Sequence, residues 1–179
     1  MIQYCSIIKV AEVFFREPTV RHSLKDVSRK SYLAHTSVKS YLTILLKENI
    51  IERQVEKRGK RAFPFFIAKR DHPTYILYKK EYNFFILSSS GILEFLRDHL
   101  TPKSIILFGS YARGDDRESS DIDLFIESKS STLSLEKFEK ILGREIELHF
   151  QENFNTYPSE LKNNIINGQI LYGYLEVFK

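Results

Sequence analysis

The spacing of apolar positions changes character halfway along the chain. Helical spacing dominates the first part. Ile7, Ile8, Val10, Ala11, Phe14 and Phe15 recur at intervals of three and four, which predicts a helix over residues 2–16, stopped near Pro18. Ser23 can cap a short helix over 24–30. A turn at 31–34 then leads into a third helix over 35–48, with Val38, Leu42, Leu45 and Leu46 as its core stripe. Residues 50–56 and 61–67 read as two strands around the turn Lys57-Arg58-Gly59-Lys60. Residues 74–87 are too rich in Tyr, Phe, Ile and Leu for a flexible linker. They read as a buried connecting helix, with monomer core and dimer contact both open as its role.

The second part carries short apolar runs. Ser104-Ile105-Ile106-Leu107-Phe108 reads as a buried strand, and residues 122–126 as a second. Residues 135–142 read as a helix after a Ser-rich loop at 128–131. In 144–150, Ile146, Leu148 and Phe150 alternate with Glu145, Glu147 and His149, which gives a strand one apolar and one polar face.

Charge divides the chain at the same place. The 179 residues carry a formal net charge of +4. Residues 1–80 hold 17 basic and 7 acidic side chains, a net +10, while residues 81–179 hold 10 and 16, a net −6. Such asymmetry predicts a polyanionic partner for the first half. No run of 18 apolar residues and no signal-peptide pattern stands in the sequence, so a cytoplasmic protein with no membrane association is expected. The single cysteine, Cys5, cannot form an internal disulfide and is expected as a small core side chain of the first helix.

Chemistry concentrates between the two apolar runs, in Gly109-Ser110-Tyr111-Ala112-Arg113-Gly114 and Ser119-Ser120-Asp121-Ile122-Asp123-Leu124. In a strand, residues i and i+2 share a face, so Asp121 and Asp123 are expected side by side. Adjacent carboxylates repel unless a cation sits between them, and hard oxygen donors suit Mg²⁺. Gly109 lets the backbone approach a ligand, and Ser110 stands where a helix would begin with free N–H groups. A phosphate cradle beside paired carboxylates points to metal-dependent phosphoryl or nucleotidyl transfer. The plain rival is a loop followed by a solvated strand end.

Residues 109–124 match the motif G-S-x-A-R-G-x5-S-D-x-D-L without a gap. The stretch from Gly91 to Lys179 resembles the minimal nucleotidyltransferases of the DNA polymerase β-like superfamily. The resemblance implies a mixed sheet flanked by helices. Gly109, Ser110, Arg113 and Ser120 would form the nucleotide-binding set, with bracing of the turn as an equal role for Arg113. Asp121 and Asp123 would bind two Mg²⁺ ions, and a third carboxylate would come from a later strand. Glu147 is the expected residue and Glu145 the rival, where the family more often has Asp. Asp121, Asp123 and Glu147 would then catalyse transfer of a nucleotide, AMP from ATP, to an acceptor hydroxyl. The family also implies an antitoxin that modifies a HEPN-domain partner.

The first half resembles, more loosely, a winged helix-turn-helix. That implies double-stranded DNA as partner, with His35, Thr36, Ser37, Lys39 and Ser40 facing the groove and Lys57, Arg58, Lys60 and Arg61 on the wing. The rival is a protein-docking module with a solvated basic hairpin. The expected fold class is α+β in two domains: a winged helix-turn-helix over 1–70, a connecting helix over 71–90 and a nucleotidyltransferase fold over 91–179. The competing function is a transcriptional regulator whose transferase-like domain only senses nucleotide.

Overall fold

The computed structural model describes residues 5–177. It divides into two compact units, Met1–Tyr82 and Asn83–Lys179, with the boundary inside one helix. The first unit runs α1 (Ser6–Arg16), α2 (Leu24–Ser31), α3 (His35–Lys47), β1 (Ile51–Arg58), β2 (Arg61–Ala68) and the first part of α4 (Pro73–Ser89). The amphipathic pattern of α1 buries Val10, Ala11, Val13, Phe14 and Phe15. A reciprocal cap starts α2: the Asp26 N–H donates to Ser23 Oγ at 3.2 Å, and the Ser23 N–H donates to the Asp26 carboxylate at 3.1 Å. In α3 the buried stripe is Val38, Leu42 and Leu45, while Leu46 is half-buried.

Two expectations need correction. Cys5 precedes α1 and is exposed, so it is no core residue; the expected helix start at Ile2 lies outside the described residues. The hairpin pairs without a break from Ile51↔Ala68 to Arg58↔Arg61. Its turn is therefore only Gly59-Lys60, closed by Gly59 at φ +62°, because two-residue turns with a left-handed glycine match strand twist. His22, which carried no strand signal, exchanges two backbone hydrogen bonds with Phe66, both 2.8 Å, and adds a one-residue bridge to the hairpin.

The apolar segment after the hairpin is helical, as expected, and its buried stripe includes Tyr75, Lys79 and Tyr82. Two of these cap the end of α1. Tyr75 Oη donates to the Phe14 carbonyl at 3.1 Å, and the buried Lys79 ammonium donates to that of Phe15. The last carbonyls of a helix lack internal partners and carry its negative dipole end, which favours a cation there. Leu77 and Tyr78, on the other side of α4, are exposed. No helix among the described residues is long and apolar enough to cross a membrane.

The second unit runs from the end of α4 through α5 (Ile92–Leu100), β3 (Ser104–Phe108), α6 (Gly109–Arg113), β4 (Ile122–Ile126), α7 (Glu136–Leu142), β5 (Ile146–Phe150), a 3-10 turn (Phe154–Thr156), α8 (Ser159–Ile166) and β6 (Gln169–Gly173). The sheet order is β5-β4-β3-β6. β4 and β5 are parallel, joined through α7, and the other pairs are antiparallel, so the sheet is mixed as expected. Strand alternation splits its side chains. Ile105, Leu107, Ile122, Leu124, Ile126 and Ile146 pack into one core with α5 and α7 residues. Ile106, Phe108 and Phe125 face Phe154 and Ile165 in the other. Truncating one such side chain to alanine costs about 2–5 kcal/mol. Both cores therefore fix the register in which the polar residues at the strand ends meet.

Candidate active site

Register brings the carboxylates together. Asp123 stands opposite Phe108 on β3 and Glu147 on β5. One pleat further on, His149 shares the Glu147 face. Ligand atoms of Asp123, Glu147 and His149 all lie within 4.8 Å of one another. His149 Nε2 donates to Asp123 Oδ1 at 3.3 Å and sits 3.9 Å from Glu147 Oε1. Its ring meets Phe108 edge-on, with centroids 5.0 Å apart. The hydrogen bond to Asp123 raises the imidazole pKa above its ordinary 6.5; burial opposes this, and the charges of Glu147 and Asp123 add to it.

Gly109 completes this corner. It follows β3 and opens α6 at φ +75°, and a Cβ built on it would lie 2.1 Å from Asp123 Oδ2. Glycine was expected here so that a ligand could approach the backbone. The structure gives a more immediate reason: at φ +75° a side chain is strained, and its Cβ would push the Asp123 carboxylate aside.

Other expected residues are not members of this three-residue group. Asp121 is exposed and precedes β4, whose first residue is Ile122, so the pleat rule does not reach it. A turn delivers it: the Arg117 N–H donates to Ser120 Oγ at 2.9 Å, and the Ser120 N–H to the Arg117 carbonyl. Glu145 likewise precedes β5 and is exposed; its carbonyl accepts from Ile122 N–H, while its carboxylate is outside the three-residue group. Ser110 is half-buried on the short α6. Arg113 is exposed and pairs with Asp115 at 3.2 Å.

Two features escaped the sequence reading. His149 had a usable signal, because the alternation that singled out Glu147 continues to it. Asp116 had none. It looked like one more charge in the motif loop, yet it is buried and accepts from Asn83 Nδ2 at 2.8 Å, with Arg144 3.7 Å away. Asn83 also donates to the Tyr111 carbonyl. These bonds tie the end of α6, the motif loop and the approach to β5 into one frame.

In the first unit, His35, Thr36, Ser37, Lys39 and Ser40 are all exposed on the first turns of α3, and Val38 between them is buried. Lys57, Lys60 and Arg61 are exposed at the hairpin tip. The Arg58 side chain lies outside the described residues.

A mixed sheet with a Gly-Ser turn leading to paired carboxylates defines a class. The profile of the nucleotidyltransferase domain matches residues 89–171. Three proteins of Methanocaldococcus jannaschii, each named "Putative protein adenylyltransferase", are similar to the chain. One is 49% identical over 61 residues, covering 30% of this chain and 61% of that protein. Another is 46% identical over 44 residues, covering 25% and 51%. The third is 35% identical over 71 residues, covering 36% and 73%. The chain thus spans between half and three quarters of the relatives' lengths. It belongs to the nucleotidyltransferase domain family, a family of enzymes.

Proposed function

We propose that the chain is a DNA-binding nucleotidyltransferase that transfers AMP from ATP to a hydroxyl on a protein, in the cytoplasm, with Mg²⁺ as cofactor. The observation that carries the reading is the Asp123–Glu147 pair, set in register on adjoining strands beside a glycine whose Cβ would displace Asp123. Two carboxylates on a rigid sheet suit a hard divalent cation. Asp123 and Glu147 would hold it, with Asp121 supplied from the loop. When bound, Mg²⁺ neutralises phosphate charge as the α-phosphate is attacked. Gly109 and Ser110 then face the triphosphate. His149, hydrogen-bonded to Asp123, would orient that carboxylate for the cation. The protein acceptor is taken from the relatives' name. A HEPN-domain partner in a toxin–antitoxin pair is the acceptor that the family resemblance adds.

Exposed polar residues on the first turns of α3, the basic hairpin tip and the net +10 of residues 1–80 support duplex DNA as partner of the first unit. Binding should weaken steeply with salt, because each neutralised phosphate releases counterions. Replacing Lys60 and Arg61 with alanine should lower the salt slope by about one for each phosphate no longer neutralised. A filter-binding series between low and high salt reads this directly, and a flat series would assign the unit to protein docking.

Pyrophosphate release from Mg·ATP, measured with ATP binding on the same sample, tests the transfer. Release supports the enzyme. Binding without release, in the presence of protein acceptors, would make the domain a nucleotide sensor.

A further inference from the structure

We propose that Tyr32 of a second copy of this chain is an acceptor for the nucleotidyl transfer, an inference that rests on the transfer reading above. Tyr32 ends α2 in the left-handed conformation, at φ +56°. Bulky residues rarely adopt it, and glycine or asparagine close a helix this way at less cost. The helix end therefore does not call for a tyrosine. The side chain serves no packing role either: Tyr32 is 93% exposed, and its hydroxyl has no hydrogen-bond partner among the described residues.

Among the described tyrosines Tyr32 is the most exposed; Tyr78 on α4 is 51% exposed, and Tyr172 lies under the Arg97 guanidinium. Tyr75, Tyr82 and Tyr111 are buried, and Tyr174, 61% exposed, lies against the Lys103 ammonium. A phenol held clear of the surface by strained backbone suits an enzyme that must take a protein hydroxyl into a cleft. Charge favours that encounter. Tyr32 sits in the +10 half, three residues after Arg29, whose side chain is 74% exposed and pairs with Asp26 at 3.6 Å. In the −6 half, a cavity of about 610 Å³ opens at Asp121, and its carboxylates, Glu118, Glu139 and Glu145 among them, outnumber its cations, Lys140 and Arg144. Opposite fields of this kind steer association between copies.

The step balances without a further reactant. Tyr32 Oη forms a bond to the α-phosphorus of ATP, and the bond from that phosphorus to the bridging oxygen breaks. Pyrophosphate leaves with the electron pair, and the phenol proton goes to solvent. The product carries a phosphodiester anion at the entry to α3, where it opposes the phosphates of DNA.

Incubating the full chain with Mg·ATP and mapping its peptides by mass spectrometry tests the proposal. The expected result is one added AMP on the peptide that carries Tyr32, absent from Tyr32→Phe, which melts like the parent. An Asp123→Asn chain should gain the label when mixed with the Tyr32→Phe chain. Label on another residue, label unchanged in Tyr32→Phe, or an unlabelled Asp123→Asn chain in the mixture would each overturn the proposal. So would an unlabelled chain that still releases pyrophosphate with a tyrosine peptide flanked by lysines. No release with any acceptor would remove the transfer reading itself, and the proposal with it.

Discussion

One carboxylate stands near the start of β4 and another just past its end, and the two live in different surroundings. At its far end Glu127 is buried, at 5% exposure. Ser104 Oγ donates to its Oε2 at 3.0 Å, the Phe154 N–H points at Oε1 from 3.5 Å, and Lys103 Nζ stands 3.9 Å away. At the near end Asp123 keeps a quarter of its side chain exposed, with His149 as its hydrogen-bonded neighbour and a bare glycine against it. A buried carboxylate whose oxygens are spoken for holds a fold together. One that is a quarter open, beside a second carboxylate and an imidazole, suits a cation better. Partners, more than residue type, separate a structural acid from the one we assign to the transfer.

The sharpest way to break this contrast is to neutralise each acid in turn. Asp123→Asn should lower pyrophosphate release by at least about 100-fold, roughly 3 kcal/mol of barrier, with little loss of stability. Glu127→Gln should leave release within about threefold of the parent, a barrier change well under 1 kcal/mol. Glu127→Ala should act on the fold instead. It strands the Ser104 hydroxyl and the Phe154 N–H, which costs about 2–4 kcal/mol and is read from denaturant unfolding.

Gly109→Ala joins the two kinds of effect. The added methyl meets Asp123 Oδ2 and a backbone at φ +75°. Stability should fall by about 1–3 kcal/mol, and release should fall more than that loss explains, because Asp123 is pushed aside. Equal losses would reduce Gly109 to a turn residue.

The smallest effect lies in pH. His149 has a raised folded pKa, so the folded state binds its proton more tightly than the unfolded chain does. Its stabilising contribution is full below about pH 6.5 and disappears as pH rises through the folded value. His22 works in the opposite sense. Burial lowers its pKa, so its contribution is lost as pH falls below 6.5. Melting curves of metal-free parent and His149→Asn isolate the first effect: their difference should shrink from pH 6 to pH 8, and a constant difference would deny the His149–Asp123 pairing.

Much of this site was legible in the sequence. Short apolar runs marked β3 and β4, and the ungapped motif between them marked Gly109 and Asp123. Alternation alone left Glu145 and Glu147 as equals, since i and i+2 share a face. Only the parallel pairing of β4 with β5 puts Glu147 opposite Asp123, and that register is long-range information. Asp116 was hidden for the same reason, because its partners Asn83 and Arg144 are distant in sequence. The pleat rule failed at Asp121 because the strand begins one residue later, after a turn that Ser120 closes. In the first half, the helices followed from spacing and caps. The burial of Lys79 against the end of α1 did not, because lysine reads as surface until a helix terminus is found to receive it.

Metal binding asks the question most directly. Mn²⁺, a paramagnetic stand-in for Mg²⁺, can be titrated into the protein with ATP and followed by the loss of its free-ion resonance. The parent and Glu127→Gln should bind alike, while Asp123→Asn and Glu147→Gln should each weaken binding by at least about tenfold, 1.4 kcal/mol. Unchanged binding in both of those variants, or its loss in Glu127→Gln, would contradict the assignment of Asp123 and Glu147 as the site's metal-holding pair.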